Sequence, residues 1–133
     1  VLYFKGKEGL KTVYEDILAT GKSYIGYGPG IHIDNLLKAY FKDYIKRRIK
    51  LGMKLRMIWD ERSREKYYVK TPLVDSRFLP NEVCSYAALR IYGNKVALML
   101  FSEEQPIAVV IENKAIADGY RKYFEVMWKA AKP

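Results

Sequence analysis

The chain has 133 residues, of which 50% are hydrophobic, and it carries a formal net charge of +9. This length fits one domain with a single core, and no apolar run approaches the ~20 residues of a membrane-spanning helix, so we expect no contact with a membrane. The only cysteine, Cys84, excludes an internal disulfide and favours a cytoplasmic location, where thiols stay reduced.

The N-terminal segment predicts a strand, a helix and a second strand. Val1–Lys5 is predicted as a short strand, and apolar residues at helical spacing then predict a helix that ends at Gly21. Residues 23–27 resume as a strand, which Gly28-Pro29-Gly30 breaks.

A second helix and a third strand follow. Asp34 is predicted to cap a helix that continues to Gly52, with an apolar face of Leu37, Tyr40, Phe41, Tyr44, Ile45 and Ile49. The alternation over Met53–Trp59 predicts a strand. Strands separated by helices imply parallel pairing with right-handed crossovers.

The second half of the chain predicts a hairpin-rich region. Short strands are expected at 75–79, 84–92, 95–101 and 107–112, and Gly93-Asn94 suits a tight two-residue hairpin. The last two of these strands do not alternate, so we expect them to be buried on both faces.

A final helix is predicted from Asn113, its expected N-cap. Its buried stripe is expected to contain Ile116, Ala117, Tyr120, Phe124, Met127, Trp128 and Ala131. The predicted fold is therefore α/β, a mixed sheet with helices on both faces, in the order β-α-β-α-β followed by the hairpin-rich half and a C-terminal helix.

Positive charge is concentrated in residues 38–70, which hold twelve Lys and Arg against four acids, a local charge of +8. Lys38, Lys42, Lys46 and Lys50 are predicted to lie on one row of the second helix. Such a row can bind phosphates, but no aromatic residues are interleaved with it. We favour a solvated surface over a nucleic-acid-binding one.

The strongest candidate for a ligand site is the loop at Gly28-Pro29-Gly30. Small residues between a strand and a helix let the backbone approach a ligand, and ligands of open α/β sheets bind beyond the carboxyl ends of the strands. Tyr27 and Trp59 are expected at such ends. A turn that simply needs glycine is an equally good interpretation, because the pattern is not that of a dinucleotide loop.

Other reactive residues lack partners in the sequence. His32 is the only histidine, and no spacing of His, Cys or acids predicts a metal site. The adjacent acids Asp60-Glu61 are expected in a solvated turn. No cofactor is predicted.

Four segments of the chain share a pattern with one protein family. They are Phe4–Lys11 (FKGKEGLK), Arg47–Arg56 (RRIKLGMKLR), Ile91–Ala97 (IYGNKVA) and Ile111–Trp128. Spread over nearly the whole chain, they resemble the C-terminal domain of TrmB-like archaeal transcriptional regulators.

This resemblance implies a phospholipase D-like fold that senses a ligand, dimerises, or does both. In that family the domain follows a DNA-binding winged helix, which this chain does not contain. Residues 1–133 are therefore expected to be a single regulatory domain, and DNA is expected to be contacted mainly through a missing N-terminal domain. A sugar or an anionic metabolite is the expected effector, and a homodimer the expected assembly.

The phospholipase D enzymes need a histidine nucleophile on the hairpin strand, followed two residues later by a lysine. The resemblance places Tyr86 and Ala88 near those positions, so no catalytic residue is predicted. The predicted ligand-binding residues are Tyr27, Gly28, Gly30, His32, Trp59 and Ser102. A phosphodiesterase of phospholipase D type and a basic nucleic-acid-binding module are the alternatives.

Overall fold

A computed structural model describes all 133 residues. Its strands are β1 (Leu2–Lys5), β2 (Tyr24–Gly28), β3 (Leu55–Asp60), β4 (Val74–Leu79), β5 (Ala87–Tyr92), β6 (Lys95–Leu100) and β7 (Ile107–Glu112). Its helices are α1 (Gly6–Thr20), α2 (Gly30–Leu37), α3 (Ala39–Lys50) and α4 (Lys114–Ala130). Three short 3-10 turns lie at Glu61–Ser63, Tyr67–Val69 and Asn81–Val83.

The seven strands form one mixed sheet in the order β1-β7-β6-β5-β2-β3-β4. Strands β2 and β3 pair in parallel, as the helices between them predict, and β4 is parallel to β3, whereas the remaining pairs are antiparallel. Strand β1, which the sequence predicts to pair in parallel, lies at the edge of the sheet and is antiparallel to β7. The carboxyl ends of β2 and β3 therefore lie at the same edge as the start of β5 and the end of β6. That edge positions the candidate site described below.

Helices cover both faces of the sheet, so the predicted α/β architecture is confirmed. Helices α1, α2 and α3 pack on one face over the larger core, which includes Tyr14, Phe41 and Met57. Helix α4 packs on the opposite face, where Phe124 and Trp128 cover a smaller core. None of the helices is long and apolar enough to span a bilayer.

The predicted second helix is two helices, and Asp34 is not its N-cap. Helix α2 begins at Gly30, and Lys38 separates it from α3 with a φ of 50°. The apolar pattern continues across this break because both helices face the same core. Local periodicity therefore gave no sign of the interruption at Lys38.

The hairpin and the last helix agree closely with expectation. Tyr92 pairs with Lys95 in the ladder, so Gly93 and Asn94 form the two-residue turn, in which Gly93 has a φ of 57°. The Asn113 side chain accepts a hydrogen bond from the Ile116 N–H at 3.0 Å, which confirms the predicted cap.

Burial on the α4 face is less complete than predicted. Leu98 on β6 is 38% exposed, and Ile116 and Tyr120 of the predicted stripe are also exposed. Helix α4 packs on β5 and β6, and Ile107, Val109 and Ile111 on the same side of β7 are only half-buried. The apolar runs of β6 and β7 are thus not buried on both faces.

Candidate functional site

Two clefts open at the edge where β2 and β3 end and β5 begins. The first has a volume of about 540 Å³ and is lined by His32, Asn35, Tyr86, Phe101, Ser102, Glu103 and Glu104. We call it the polar cleft. The second has a volume of about 320 Å³ and is lined mainly by apolar residues, including Tyr27, Pro29, Ile58, Leu79, Val83 and Met127. We call it the apolar cleft.

His32 lies in the first turn of α2, and its ring packs on Tyr86 with the ring centroids 4.1 Å apart. Burial lowers the pKa of His32, the positive charge of Arg62 lowers it further, and the negative charge of Asp60 partly opposes both. The imidazole is therefore mainly neutral at pH 7. A neutral imidazole can both donate and accept a hydrogen bond to a ligand.

The polar cleft has an excess of negative charge. Glu103 and Glu104 are exposed in the loop after β6, and no Lys or Arg lines the cleft. Asn35 and Ser102 add an amide and a hydroxyl. This lining suits a neutral ligand that is rich in hydroxyl groups, and it repels phosphate.

The residues predicted to bind a ligand are divided between the two clefts. His32 and Ser102 line the polar cleft, whereas Tyr27, Gly28 and Trp59 line the apolar cleft. The indole of Trp59 is only 3% exposed and belongs to the larger core.

Gly30 lines neither cleft, because it is buried beneath the side chains of Ser63 and Tyr68. Its backbone N–H donates to Asp60 Oδ1 at 2.9 Å. Gly30 therefore positions the start of α2, and with it His32.

Asp60 is the centre of a buried network that no pattern in the sequence predicts. Expected in a solvated turn, it is 0% exposed, and its Oδ1 also accepts from Ser63 Oγ at 2.6 Å. Ser63 Oγ lies 2.6 Å from Tyr68 Oη, and since its one proton goes to Asp60, Tyr68 donates to it. Asp60 Oδ2 has no hydrogen-bond partner, although Arg62 Nε is 3.3 Å away. The only signal in the sequence was its position directly after the predicted strand Met53–Trp59, and in the structure it is the last residue of β3.

Tyr86 and Ala88 lie where the resemblance expects a histidine and a lysine. Tyr86 is 50% exposed just before β5, and Ala88 is 3% exposed on the side of the larger core. A Cβ added to Gly28 would lie 2.7 Å from Ala88 Cβ, so the two backbones are in close contact. A lysine at this position would have no space on that side.

The basic stretch does not form one surface. Lys38, Lys42, Lys46 and Lys50 are all exposed, and Lys42 Nζ lies 5.4 Å from the ring centroid of Tyr67. The other basic residues of the stretch are dispersed, however. Arg48 is buried, and ion pairs engage Arg47, Arg56, Arg62, Arg64 and Lys70.

Comparison with solved structures shows the fold. The chain superposes on TrmBL2, described as an archaeal chromatin protein with a novel mode of DNA binding, with a TM-score of 0.70, 14% identity and 98% of this chain covered. It spans about half of that protein, 53% of its length. No family profile matches the chain, and no curated protein sequence matches it significantly.

Two phospholipase D-like proteins superpose equally well. They are NucT from Helicobacter pylori, at 13% identity, and Nuc from Salmonella typhimurium, a phospholipase D family member, at 16%. Both have TM-scores of 0.70, and the match covers 98% of this chain and 96% and 95% of theirs. The chain therefore has a phospholipase D-like fold. At this identity the likeness concerns the fold and not the activity.

Proposed function

We propose that this chain is a non-catalytic, cytoplasmic regulatory domain of a TrmB-like transcriptional regulator, which binds a small effector and forms a homodimer. The observation that carries the proposal is the occupation of the hairpin-strand positions by Tyr86 and Ala88. Neither side chain can act as the nucleophile or the phosphate-binding cation of a phospholipase D enzyme. The likeness to TrmBL2 supports the regulatory class.

His32 does not replace the missing nucleophile. A histidine that attacks phosphorus needs cations nearby to stabilise the developing charge. Arg62 is near enough to lower the pKa of His32, but it is paired with Asp60 and does not line the cleft. The cleft lining has no lysine or arginine, and it has Glu103 and Glu104 instead. A phosphodiester would be repelled from this cleft.

The polar cleft is the proposed effector site, and a sugar is the favoured ligand. Carboxylates accept hydrogen bonds from hydroxyl groups, and the exposed ring of Tyr86 offers an apolar face to a sugar ring. An anionic metabolite is disfavoured by the same carboxylates.

A thermal-shift screen tests this proposal. Neutral sugars, sugar phosphates and nucleotides are added to the purified chain, and a bound ligand should raise its melting temperature by mass action. We expect a neutral sugar to give a concentration-dependent rise that the Glu103→Gln/Glu104→Gln variant reduces. The variant Glu8→Gln, on the exposed surface of α1, is the control. Binding of sugar phosphates alone would contradict the assignment.

A hydrolysis assay tests the proposal that the chain is not an enzyme. We expect no hydrolysis of bis(p-nitrophenyl) phosphate or of DNA by the purified chain. Turnover that His32→Ala abolishes would overturn the non-catalytic assignment.

Dimerisation is supported by exposed apolar residues on α4. Ile116 and Tyr120 are 39% and 36% exposed, and Tyr123 and Val126 are 67% and 69% exposed. Large exposed apolar patches are typical of protein–protein interfaces. We expect light scattering to report a dimer that the Tyr123→Asp/Val126→Asp variant converts to a monomer. A wild-type monomer at all concentrations would refute this part of the proposal.

The exposed lysine row supports a second candidate function, direct binding of nucleic acid. Lys38, Lys42, Lys46 and Lys50 have no acidic partner within 4.0 Å. If the row binds duplex DNA, the affinity should fall steeply with salt, with a log–log slope of about −0.9 for each phosphate contacted. Replacing all four lysines with glutamine should then flatten the slope. The absence of binding at low salt would exclude this function.

A further inference from the structure

Two arginines are buried in the larger core without a counter-charge. Arg48 is 1% exposed and Arg90 is 2% exposed. No carboxylate oxygen lies within 4.0 Å of either guanidinium. Because arginine cannot lose its proton in a protein, two full positive charges are present inside the fold. Buried charges are normally paired, since removing an unpaired charge from water is costly.

Neutral groups accept the hydrogen bonds of both guanidiniums. Arg48 donates to the carbonyls of Met53 at 2.9 Å and Pro72 at 3.1 Å. Arg90 donates to the carbonyl of Tyr27 at 2.9 Å and to the hydroxyl of Tyr14 at 3.1 Å. These bonds satisfy donors, but they do not neutralise the charge.

The surrounding tyrosines add more donors than acceptors. Tyr14 accepts from Arg90, and its own hydroxyl proton has no acceptor. Tyr24 Oη and Tyr44 Oη are 2.6 Å apart, so one of their two protons serves that bond and the other is unused. Burial raises the pKa of all three phenols above its usual range, so they stay neutral and cannot act as counter-anions.

A small cavity of about 20 Å³ lies among these groups, and both arginines and all three tyrosines line it. This volume accommodates one water or one monatomic ion and excludes a polyatomic metabolite. The cavity therefore combines two positive charges, unused hydroxyl donors and space for a single atom.

We infer that this cavity is a binding site for one monatomic halide anion, chloride under ordinary conditions. The anion would accept the unused protons of Tyr14 and of the Tyr24–Tyr44 pair, and it would offset the charges of Arg48 and Arg90. A water molecule could accept the same protons, but it would leave both charges uncompensated. The cavity shares only Trp59 with the lining of the apolar cleft and does not depend on the proposed function.

Thermal unfolding at constant ionic strength tests the inference. The purified chain is melted in sodium chloride, in sodium bromide and in sodium gluconate, whose anion is too large for the cavity. Because only the folded state holds the site, the melting temperature should rise by about 5 °C for each tenfold increase in chloride above its dissociation constant. Bromide should behave similarly. Equal melting temperatures in all three salts would overturn the inference.

A matched pair of variants separates the halide site from general stability. Tyr14→Phe removes a proposed ligand donor and should abolish the chloride dependence even if it lowers the melting temperature. Tyr92→Phe removes a hydroxyl that is bonded to Asp16 at 2.9 Å and does not line the cavity, so the chloride dependence should persist. Loss of the dependence in both variants, or in neither, would contradict the assignment.

Crystals grown in sodium bromide show directly whether a halide occupies the cavity, because bromide scatters anomalously. An anomalous peak is expected inside the cavity that Arg48, Arg90 and the three tyrosines line. A water at that position, with no anomalous signal, would refute the halide site.

Discussion

The imidazole of His32 packs on the phenol ring of Tyr86, with the ring planes tilted by 33°. This contact joins the start of α2 to the residue just before β5, two segments 54 positions apart in the chain. It places the only histidine beside Tyr86, the residue that the resemblance sets near the position of the phospholipase D nucleophile. A neutral imidazole packed in this way can both donate and accept a hydrogen bond.

The pKa of His32 should lie below the ordinary value of about 6.5. Burial is the main cause, and the Tyr86 ring supplies part of it. Because His32 is the only histidine, one set of imidazole resonances in a proton NMR titration reports this pKa directly. Tyr86→Ala should move it upward, and Tyr123→Ala, which removes an exposed ring of α4, should leave it unchanged. A value above 6.5 in the wild type would contradict the described environment.

The lowered pKa of His32 also predicts a pH dependence of stability. The unfolded chain protonates His32 at a higher pH than the folded chain does. The contribution of the neutral His32 ring to the free energy of unfolding is therefore complete above pH 6.5. It is lost as the pH falls through the lower pKa of the folded state. Urea unfolding between pH 7.5 and pH 5 should show this loss in the wild type and less of it in His32→Gln. If the unfolding free energy fell equally with pH in the wild type and in His32→Gln, this role of His32 would be contradicted.

Gly30 and Gly119 should respond in opposite directions to the same substitution. A Cβ on Gly30 would lie 2.6 Å from Ser63 Oγ, whereas a Cβ on Gly119 in α4 would meet nothing within 4 Å. Gly30→Ala should lower the free energy of unfolding by about 2–3 kcal/mol through overpacking. Gly119→Ala should raise it by about 0.5–1 kcal/mol, because alanine favours the helix. Chemical denaturation measures both, and a neutral Gly30→Ala would show that the Asp60 network is less rigid than described.

Local patterns predicted much of the fold. The strand at 107–112, the Gly93-Asn94 hairpin and the Asn113 cap depend on neighbouring residues, and the structure has them where the sequence predicts them. The break at Lys38 lies within a continuous apolar pattern, so periodicity could not reveal it.

The sequence could not predict which charged residues are buried, for a different reason. Asp60 was expected in a solvated turn, Arg48 belongs to the basic stretch, and no pattern in the sequence marks Arg90 as buried, yet each is at most 2% exposed. Their hydrogen-bond partners are distant in the sequence. Asp60 is 30 positions from Gly30, Arg48 is 24 positions from Pro72, and Arg90 is 76 positions from Tyr14. Only the tertiary structure brings such groups together. For the same reason, the sequence could not show that the predicted ligand-binding residues lie in two clefts and in the core.

Arg56 should matter more to the docking of α4 than the acid it pairs with. Its guanidinium binds Glu125 through two hydrogen bonds, of 2.6 and 2.9 Å, and lies 4.6 Å from the ring centroid of Trp128. Both charged side chains are partly exposed, so the ion pair itself contributes at most about 1 kcal/mol. The packing of the arginine on Trp128 adds a further cation–π and apolar contribution of about 0.5–1 kcal/mol. Arg56→Ala should therefore destabilise the protein more than Glu125→Ala does.

Salt separates the two contributions of Arg56. Raising the sodium chloride concentration screens the pair with Glu125 but leaves the contact with Trp128 in place. The difference in unfolding free energy between wild type and Glu125→Ala should shrink with salt, while most of the difference for Arg56→Ala should persist. Because chloride is also the proposed core ligand, the comparison uses differences between variants at each salt concentration. Equal losses for the two variants at every concentration would mean that the contact with Trp128 contributes nothing to the docking of α4.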